Sequence, residues 1–315
     1  MTAYGFSLMC ELHDPRALVE QAKRAEAAGF DFVTISDHFH PWLYSHGHSP
    51  HAWPVLGAVA ATTERLRMIS LVTAPIIRYH PAIVAQKAAT MGALSGGRFE
   101  LGLGAGENLN EHVVGQGWPP ASTRHEMLAE AIEVIRSLWG GGYVTHHGEH
   151  YDVEDARLYT LPDEQVPLYL AVSGEKSIEL ALETADGMVG IQPDSSLTER
   201  FDGKPRIGQL AFSVTDDADE GLRLAHERFR FAAQGWKVMA ELPNPINFEA
   251  ATAPVRPEDM TDAVPHGPDP EPYLDAIGQW TGAGYDHLAF VQVGPDQERF
   301  FRFWEEELRP RLDGG

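Results

Sequence analysis

The chain has 315 residues, of which 43% are hydrophobic and 22% charged, a balance typical of a soluble globular protein. Its net charge of −22 argues against a nucleic-acid partner, because binding a phosphate backbone requires clustered Lys and Arg. The single cysteine, Cys10, excludes an internal disulfide framework and indicates a reducing compartment, so we expect a cytoplasmic protein. We expect no signal peptide and no membrane association, since no apolar run is long enough for either.

Short apolar runs alternate with helical patterns along the chain, as in parallel βα units. The first strand is predicted at Tyr4–Cys10, and the helix after it at Pro15–Ala28, which starts with a proline and stops before Gly29. The next strands are predicted at Phe32–Asp37, Arg67–Ala74 and Phe99–Gly106, with a helix at Pro81–Leu94 between the last two.

The second half of the chain continues this alternation. Strands are predicted at Pro167–Val172, Gly187–Gln192, Pro205–Val214 and His287–Val293. Helices are predicted at Thr123–Trp139, Lys176–Thr184, Asp217–Gln234 and Asp296–Leu308. Eight strands in this order predict one (β/α)8 TIM barrel over residues 1–315. A doubly wound α/β fold is less well supported, because no Gly-x-Gly-x-x-Gly joins the first strand to a helix.

Two segments do not fit the βα alternation. Gly140–Pro162 is rich in Gly, Tyr and His and predicts a β-hairpin-like excursion. Ala240–Pro272 is rich in Pro and Asp and predicts a long irregular insertion. In a barrel we interpret such an insertion as a lid over the strand ends.

The predicted strand ends carry the polar side chains that could do chemistry. Active sites of these barrels lie at the carboxyl ends of the strands. The side chains expected there are Glu11, Asp37, His38, Trp42, Thr73, Glu107 and Asn110. A lone histidine is more often a satisfied core residue, but His38 follows an aspartate at a strand end, which favours a functional role. Gly106 allows the backbone beside Glu107 to approach a ligand closely.

The residues Ser173, Gly174 and Glu175 precede a predicted helix. Free N–H groups at a helix N-terminus attract phosphate, so this turn is a candidate phosphate site. The alternative is an ordinary turn.

Four stretches together resemble the F420-dependent glucose-6-phosphate dehydrogenase family of the luciferase-like superfamily: Ser36–Trp42, Arg78–Ala82, Ala89–Gly92 and Gly104–Glu111. The similarity runs over nearly the whole chain, to the closing Asp296–Phe301. The resemblance implies a barrel, usually a homodimer, that binds the deazaflavin coenzyme F420 across its strand ends and acts on a small molecule.

The resemblance also implies roles for individual residues. The catalytic residues that it implies are His38, Glu107, Trp42 and Glu11. The residues that it implies for coenzyme binding are Asp37, Leu71, Val72, Thr73, Gly106, Glu107, Asn110, Ser173, Gly174 and Glu175. The Leu71–Val72 bond matches a non-proline cis peptide of the family.

The sequence departs from the family where sugar-phosphate enzymes hold the phosphate. The two lysines and one arginine of that clamp align here with Asp194, Met239 and Ala263. An aspartate repels a phosphate dianion, so we expect a small alcohol or carbonyl compound rather than glucose 6-phosphate. Lys237 or Arg256 could rebuild a clamp from other positions.

Oxidising an alcohol requires a base for the hydroxyl proton and an acceptor for the hydride. His38 serves as base if it is neutral, and Glu107 is the alternative; the direction of hydride transfer stays open. Three rival functions are considered: an FMN-dependent monooxygenase of the same superfamily, a metal-dependent hydrolase using His38 and His40, and a non-catalytic coenzyme-binding protein. The hydrolase is disfavoured because strand eight ends without the aspartate such enzymes need, and we expect no metal.

Overall fold

The computed structural model describes residues 2–314. Eight parallel strands close into a barrel, which confirms the predicted (β/α)8 fold. In chain order, they are β1 (Ala3–Leu8), β2 (Phe32–Ile35), β3 (Arg67–Thr73), β4 (Phe99–Leu103), β5 (Leu168–Ala171), β6 (Gly187–Gly190), β7 (Arg206–Val214) and β8 (His287–Gln292). Each strand pairs with its neighbours in sequence, and β8 pairs with β1 to complete the ring.

Helices connect the strands and cover the barrel. The α-helices are Pro15–Ala27, Ala52–Thr62, Pro81–Ser95, Asn108–Glu111, Ala121–Trp139, Glu175–Thr184, Ser195–Thr198, Ala218–Phe229, Trp236–Met239, Pro245–Thr252, Glu271–Gly282, Gln297–Phe303 and Arg309–Asp313. Short 3-10 turns lie at Tyr44–His46, His112–Val114, Glu199–Phe201, Arg230–Gln234 and Pro257–Met260, and a π-helical turn at Trp304–Leu308. The helix Ala52–Thr62 was not predicted, because its sequence is apolar on nearly every face and lacks a helical period.

The first of the two predicted insertions is a hairpin, as expected. Its antiparallel strands are Val144–His147 and Asp152–Ala156. Glu130 anchors the hairpin, because its carboxylate accepts hydrogen bonds from the backbone N–H groups of three consecutive residues, Glu149, His150 and Tyr151.

The prediction that Ala240–Pro272 is irregular is wrong for part of the segment. The segment contains the helix Pro245–Thr252, the 3-10 turn Pro257–Met260 and a two-residue strand, His266–Gly267, which pairs with the end of β7. Two of the prolines that suggested an irregular segment, Pro245 and Pro257, stand at the first turns of these helices, where their missing N–H costs nothing.

Three apolar clusters organise the interior. One lies inside the barrel, because six different strands supply its members: Phe32, Ile69, Tyr169, Val189, Ile207 and Ala289. The largest fills the layer between strands and helices. The third lies at the carboxyl ends of the strands and joins Trp42 to Phe231, Met239 and Phe248 of the later loops. The second predicted insertion therefore packs over the barrel mouth.

Candidate active site

The imidazole of His38 is held between two carboxylates. Its Nδ1 lies 2.5 Å from Oε1 of Glu11, and its Nε2 lies 3.5 Å from Oε2 of Glu107. His38 and Glu11 are buried, whereas the side chain of Glu107 is 12% exposed. The contact between His38 and Glu11 is an ion pair, and Ser36 Oγ lies 3.1 Å from both Glu11 oxygens and donates its single hydrogen to this carboxylate.

The ends of three strands bring these side chains together. Glu11 follows β1, His38 follows β2 and Glu107 follows β4, so all three emerge at the same end of a parallel barrel. The structure thus places three of the predicted catalytic residues in one contact group.

The surroundings of His38 fix its charge. Burial alone would lower the pKa of His38, but Glu107 and Glu11 outweigh burial and raise it to about 9. Burial would raise the pKa of Glu11, and the attraction of His38 lowers it instead. At neutral pH the pair is therefore an imidazolium facing a carboxylate, so His38 carries a proton that it can donate.

Asn110 links Glu107 to the segment after His38. Its Nδ2 donates to Glu107 Oε2 at 2.6 Å. Its Oδ1 accepts from the backbone N–H groups of Phe39 at 2.8 Å and His40 at 3.2 Å. Asn110 is buried, so in this structure it orients its neighbours.

The Asp37 carboxylate is fully enclosed by protein donors. Oδ2 accepts from Trp53 Nε1 at 2.9 Å and from Thr73 Oγ1 at 2.8 Å. Oδ1 accepts from Tyr79 OH at 3.1 Å and from an Arg78 nitrogen at 3.3 Å. The deazaflavin contacts expected of Asp37 and Thr73 stay predictions; here the two side chains bind each other.

The peptide bond between Leu71 and Val72 is cis, as the resemblance implied. It lies where the pairing of β3 with β4 shifts register. A Cβ on Gly102 would lie 2.1 Å from the Ser70 carbonyl oxygen, so only glycine fits this position of β4. A Cβ on Gly104, just after β4, would lie 2.7 Å from Val72 Cγ2. Leu71 and Val72 stay half-buried and pack on the cluster inside the barrel.

Trp42 forms part of an aromatic wall beside His38. The two rings meet edge to face, with centroids 4.9 Å apart. Phe231 stacks on the indole and Phe248 meets it edge-on at 5.1 Å. Both phenylalanines are almost completely buried.

The expected phosphate turn is exposed and lies at the start of the ten-residue helix Glu175–Thr184. The N–H groups of Ser173 and Gly174 donate to Ser177 Oγ at 3.0 and 3.2 Å, so they are already engaged. Glu175 forms an ion pair with Arg200 at 2.9 Å. The first N–H groups of the helix itself have no partner within the helix.

None of the three aligned clamp positions offers a positive charge. Asp194 is exposed and caps the helix Ser195–Thr198. Met239 is buried in the cluster at the barrel mouth, and Ala263 is exposed. Of the two alternative cations, Arg256 is paired with Asp259 at 3.0 Å, and Lys237 is exposed.

His38 and His40 do not converge on a common point. His40 Nδ1 lies 2.9 Å from the carbonyl oxygen of Leu109, whereas the His38 nitrogens face Glu11 and Glu107. Within residues 2–314, no group of three or more His, Cys, Asp or Glu side chains could hold a metal ion.

Four residues of this region had no assigned role in the sequence analysis. Arg78 and Glu111 belong to stretches that carried the family resemblance, but nothing in their spacing indicates that they meet. Phe231 and Phe248 lie near and within the second insertion, and their contact with Trp42 depends on how that segment folds back.

Comparisons with known proteins show the family of this chain. Residues 4–287 match the luciferase-like monooxygenase family. The F420-dependent glucose-6-phosphate dehydrogenase of Microbacterium testaceum is 35% identical, covering 98% of this chain and 97% of the relative. The enzyme of the same name from Beutenbergia cavernae is 34% identical, covering 99% and 98%. The chain therefore belongs to the luciferase-like monooxygenase family and, within it, to the F420-dependent glucose-6-phosphate dehydrogenase family.

A solved structure is also similar over its whole length. It is an F420-dependent secondary alcohol dehydrogenase in complex with an F420-acetone adduct, 29% identical, with a TM-score of 0.91 and 98% of each chain covered. Across residues 2–314, no helix combines the length and apolar character needed to cross a membrane.

Proposed function

We propose that this protein is an F420-dependent oxidoreductase that transfers a hydride between C5 of the deazaflavin and the carbon of a small, uncharged alcohol or carbonyl compound. The observation that carries this proposal is the imidazole of His38, held between Glu11 and Glu107 at the barrel mouth. The alcohol dehydrogenase with an F420-acetone adduct supports both the coenzyme and the substrate class.

The residues at the mouth fit a planar, phosphate-bearing coenzyme. Leu71, Val72 and Ala171 form a half-buried apolar floor at the ends of β3 and β5, suited to the face of a ring. The start of the helix Glu175–Thr184 is exposed and would receive the phosphate. When bound, F420 supplies the hydride acceptor or donor at C5 of its deazaflavin ring.

His38 and Glu107 would handle the substrate proton. In the reducing direction, protonated His38 donates a proton to the carbonyl oxygen. The oxidising direction uses the same group in reverse, so His38 takes the hydroxyl proton in its neutral form, and the raised pKa of His38 makes that form the minor one at neutral pH. This modifies the expectation of a neutral His38 base. Glu107 is the alternative, and it would then act as the acid in reduction and as the base in oxidation. Asn110 orients Glu107 for either role.

The aromatic wall defines the substrate class. Trp42 presents an apolar indole beside His38, and Phe231 and Phe248 pack against that indole. Asp194, Met239 and Ala263 add no cation to bind a phosphate. We therefore infer that glucose 6-phosphate is a poor substrate, in contrast to what the names of the 34–35% identical relatives state for those proteins.

An FMN-dependent monooxygenase is the second candidate, since the family includes monooxygenases by name. The purified protein would separate the two, because FMN and deazaflavin have different absorbance spectra. A non-catalytic coenzyme carrier is less well supported, since it would not need the His38–Glu107 pair.

We also propose that the protein acts in the cytoplasm as a homodimer, as the family resemblance implies. Sedimentation of the purified chain tests whether it is a homodimer, and a single monomeric species would overturn that proposal.

A screen of alcohols, aldehydes and sugar phosphates, read at the deazaflavin absorbance, tests the proposed function. We expect activity with uncharged compounds. Activity confined to sugar phosphates would overturn the substrate class, and no activity with any compound would overturn the reaction.

A further inference from the structure

The short segment that carries His38 is held at both sides. After His38, Asn110 accepts the backbone N–H groups of Phe39 and His40. Before it, an Arg78 nitrogen donates to the main-chain carbonyl oxygen of Asp37, the peptide group that leads directly into His38. The same nitrogen lies 3.3 Å from the Asp37 carboxylate.

Arg78 is itself fixed by a second buried carboxylate. Its backbone N–H donates to Glu111 Oε2 at 2.8 Å, and its Nε lies 3.5 Å from Glu111 Oε1. The Arg78 side chain is 8% exposed and that of Glu111 is 0% exposed. The Arg78 guanidinium also lies over the ring of Tyr79, 4.5 Å from its centroid. A buried guanidinium with these contacts cannot swing away without losing most of its partners.

Glu111 and Asn110 are consecutive residues of the helix Asn108–Glu111, whose N-cap is Glu107. This four-residue helix therefore makes two connections to the site. Asn110 binds Glu107 directly. Glu111 binds Arg78, which in turn binds the peptide group before His38. The distance between His38 and Glu107 depends on both connections.

We propose that Arg78 is a positioning residue that fixes the imidazole of His38 between Glu11 and Glu107. Its effect on turnover rests on the proposed function, whereas its effect on the imidazole does not. Misplacing a reacting group by about 1 Å can cost roughly 10²-fold in rate, so a residue that never touches the substrate can still control turnover.

Arg78 also acts on His38 by its charge, and the two effects can be separated. The charged groups that face His38 are Glu11 after β1, Glu107 after β4 and Arg78 after β3. The carboxylates raise the pKa of His38, and Arg78 lowers it. Arg78→Met removes both charge and hydrogen bonds. Arg78→Lys keeps the charge but loses the planar fork that reaches the Asp37 carbonyl.

The control is Arg67→Met. Arg67 stands at the other end of β3 and pairs with the buried Glu100 at 3.0 Å, far from the barrel mouth. Like Arg78, Arg67 pairs with a buried glutamate. The Arg67→Met variant therefore shows how the loss of such an ion pair affects the fold without affecting the site.

The experiment measures the NMR titration and ring ¹⁵N shifts of His38 in the full chain without coenzyme, and kcat/KM for the best substrate. We expect Arg78→Met to raise the pKa of His38, Arg78→Lys to keep it near the wild-type value, and both to change the ring ¹⁵N shifts. Both should lower kcat/KM by about 10²-fold, and Arg67→Met should change none of these. If Arg78→Met does not fold, the ring ¹⁵N shifts and kcat/KM of Arg78→Lys are enough to test the positioning role.

Unchanged ring shifts in Arg78→Lys, or full turnover in that variant, would overturn the positioning role. If the wild-type protein has no F420-dependent turnover, the proposed function fails, and the NMR data still decide whether Arg78 positions His38.

Discussion

The indole of Trp42 and the ring of Phe231 stack almost in parallel, with centroids 5.0 Å apart and planes 8° apart. Phe248 closes the edge of this pair, and it comes from the insertion that packs over the mouth. The insertion therefore supplies part of the wall beside His38.

We predict that Phe248→Ala shifts preference toward longer substrates, because it removes a buried ring that supports Trp42 and lets the indole move away from His38. The ratio of kcat/KM for a long to a short secondary alcohol should rise on the order of tenfold, as one methylene in an apolar pocket is worth 10–200-fold. Phe303→Ala, which removes a ring packed on Tyr273 away from the mouth, is the control. An unchanged ratio in Phe248→Ala would show that Phe248 does not shape the substrate space through Trp42.

We predict that His38→Ala lowers kcat/KM by roughly 10²–10⁴-fold while coenzyme affinity stays close to that of wild type, since a proton donor acts mainly in the transition state. Steady-state kinetics and coenzyme titration measure the two effects. Glu107→Gln is the partner variant, and it should impair alcohol oxidation and carbonyl reduction alike if Glu107, rather than His38, is the acid–base group. Near-normal turnover of His38→Ala would remove His38 from the reaction.

We predict that Glu111→Gln flattens the pH dependence of stability between about pH 4.5 and 7. Burial raises the pKa of Glu111 to about 7, and Arg78 only partly opposes this. The folded state therefore holds a proton that the unfolded state has lost, so the free energy of unfolding falls as pH rises through this range. Urea unfolding of the wild-type protein and of Glu111→Gln, measured at several pH values in this range, compares the two slopes. An equal slope in the variant would show that Glu111 does not titrate there.

We predict that glucose 6-phosphate is used with a kcat/KM orders of magnitude below that of an uncharged alcohol. Each lost hydrogen bond to a charged group costs roughly 1.5–3 kcal/mol, and no cation occupies the aligned clamp positions. Kinetics with both substrates test this. High activity on the sugar phosphate, lost in Lys237→Ala or Arg256→Ala, would show that the clamp has moved to other positions.

The barrel was predictable because its strands are apolar runs separated by clear helix signals. Asp14 caps the helix Pro15–Ala27, and the sequence marks that start with a following proline. The strand ends were predicted too long, because residues such as Gly104 and Gly106 leave β4 to build the mouth. The grouping of Glu11, His38 and Glu107 followed from strand order alone.

Other features required the three-dimensional structure. Arg78 meets Glu111 and Asp37 across loops from three different strands, and no sequence period encodes such a contact. The charge of His38 depends on distances to two carboxylates, so a neutral base could not be distinguished from an imidazolium beforehand. Prolines in the second insertion indicated irregular structure, but in the folded chain Pro245 begins a helix and Pro257 begins a 3-10 turn.

The absorbance of F420, followed while the purified protein is incubated with a small secondary alcohol, tests the central claim most directly. A parallel reaction contains FMN in place of F420. We predict that the oxidised deazaflavin absorbance disappears with the alcohol at a rate proportional to enzyme, and that FMN is not reduced. An unchanged F420 spectrum with every uncharged alcohol, and with the reduced coenzyme and every carbonyl compound, would contradict the proposed F420-dependent hydride transfer.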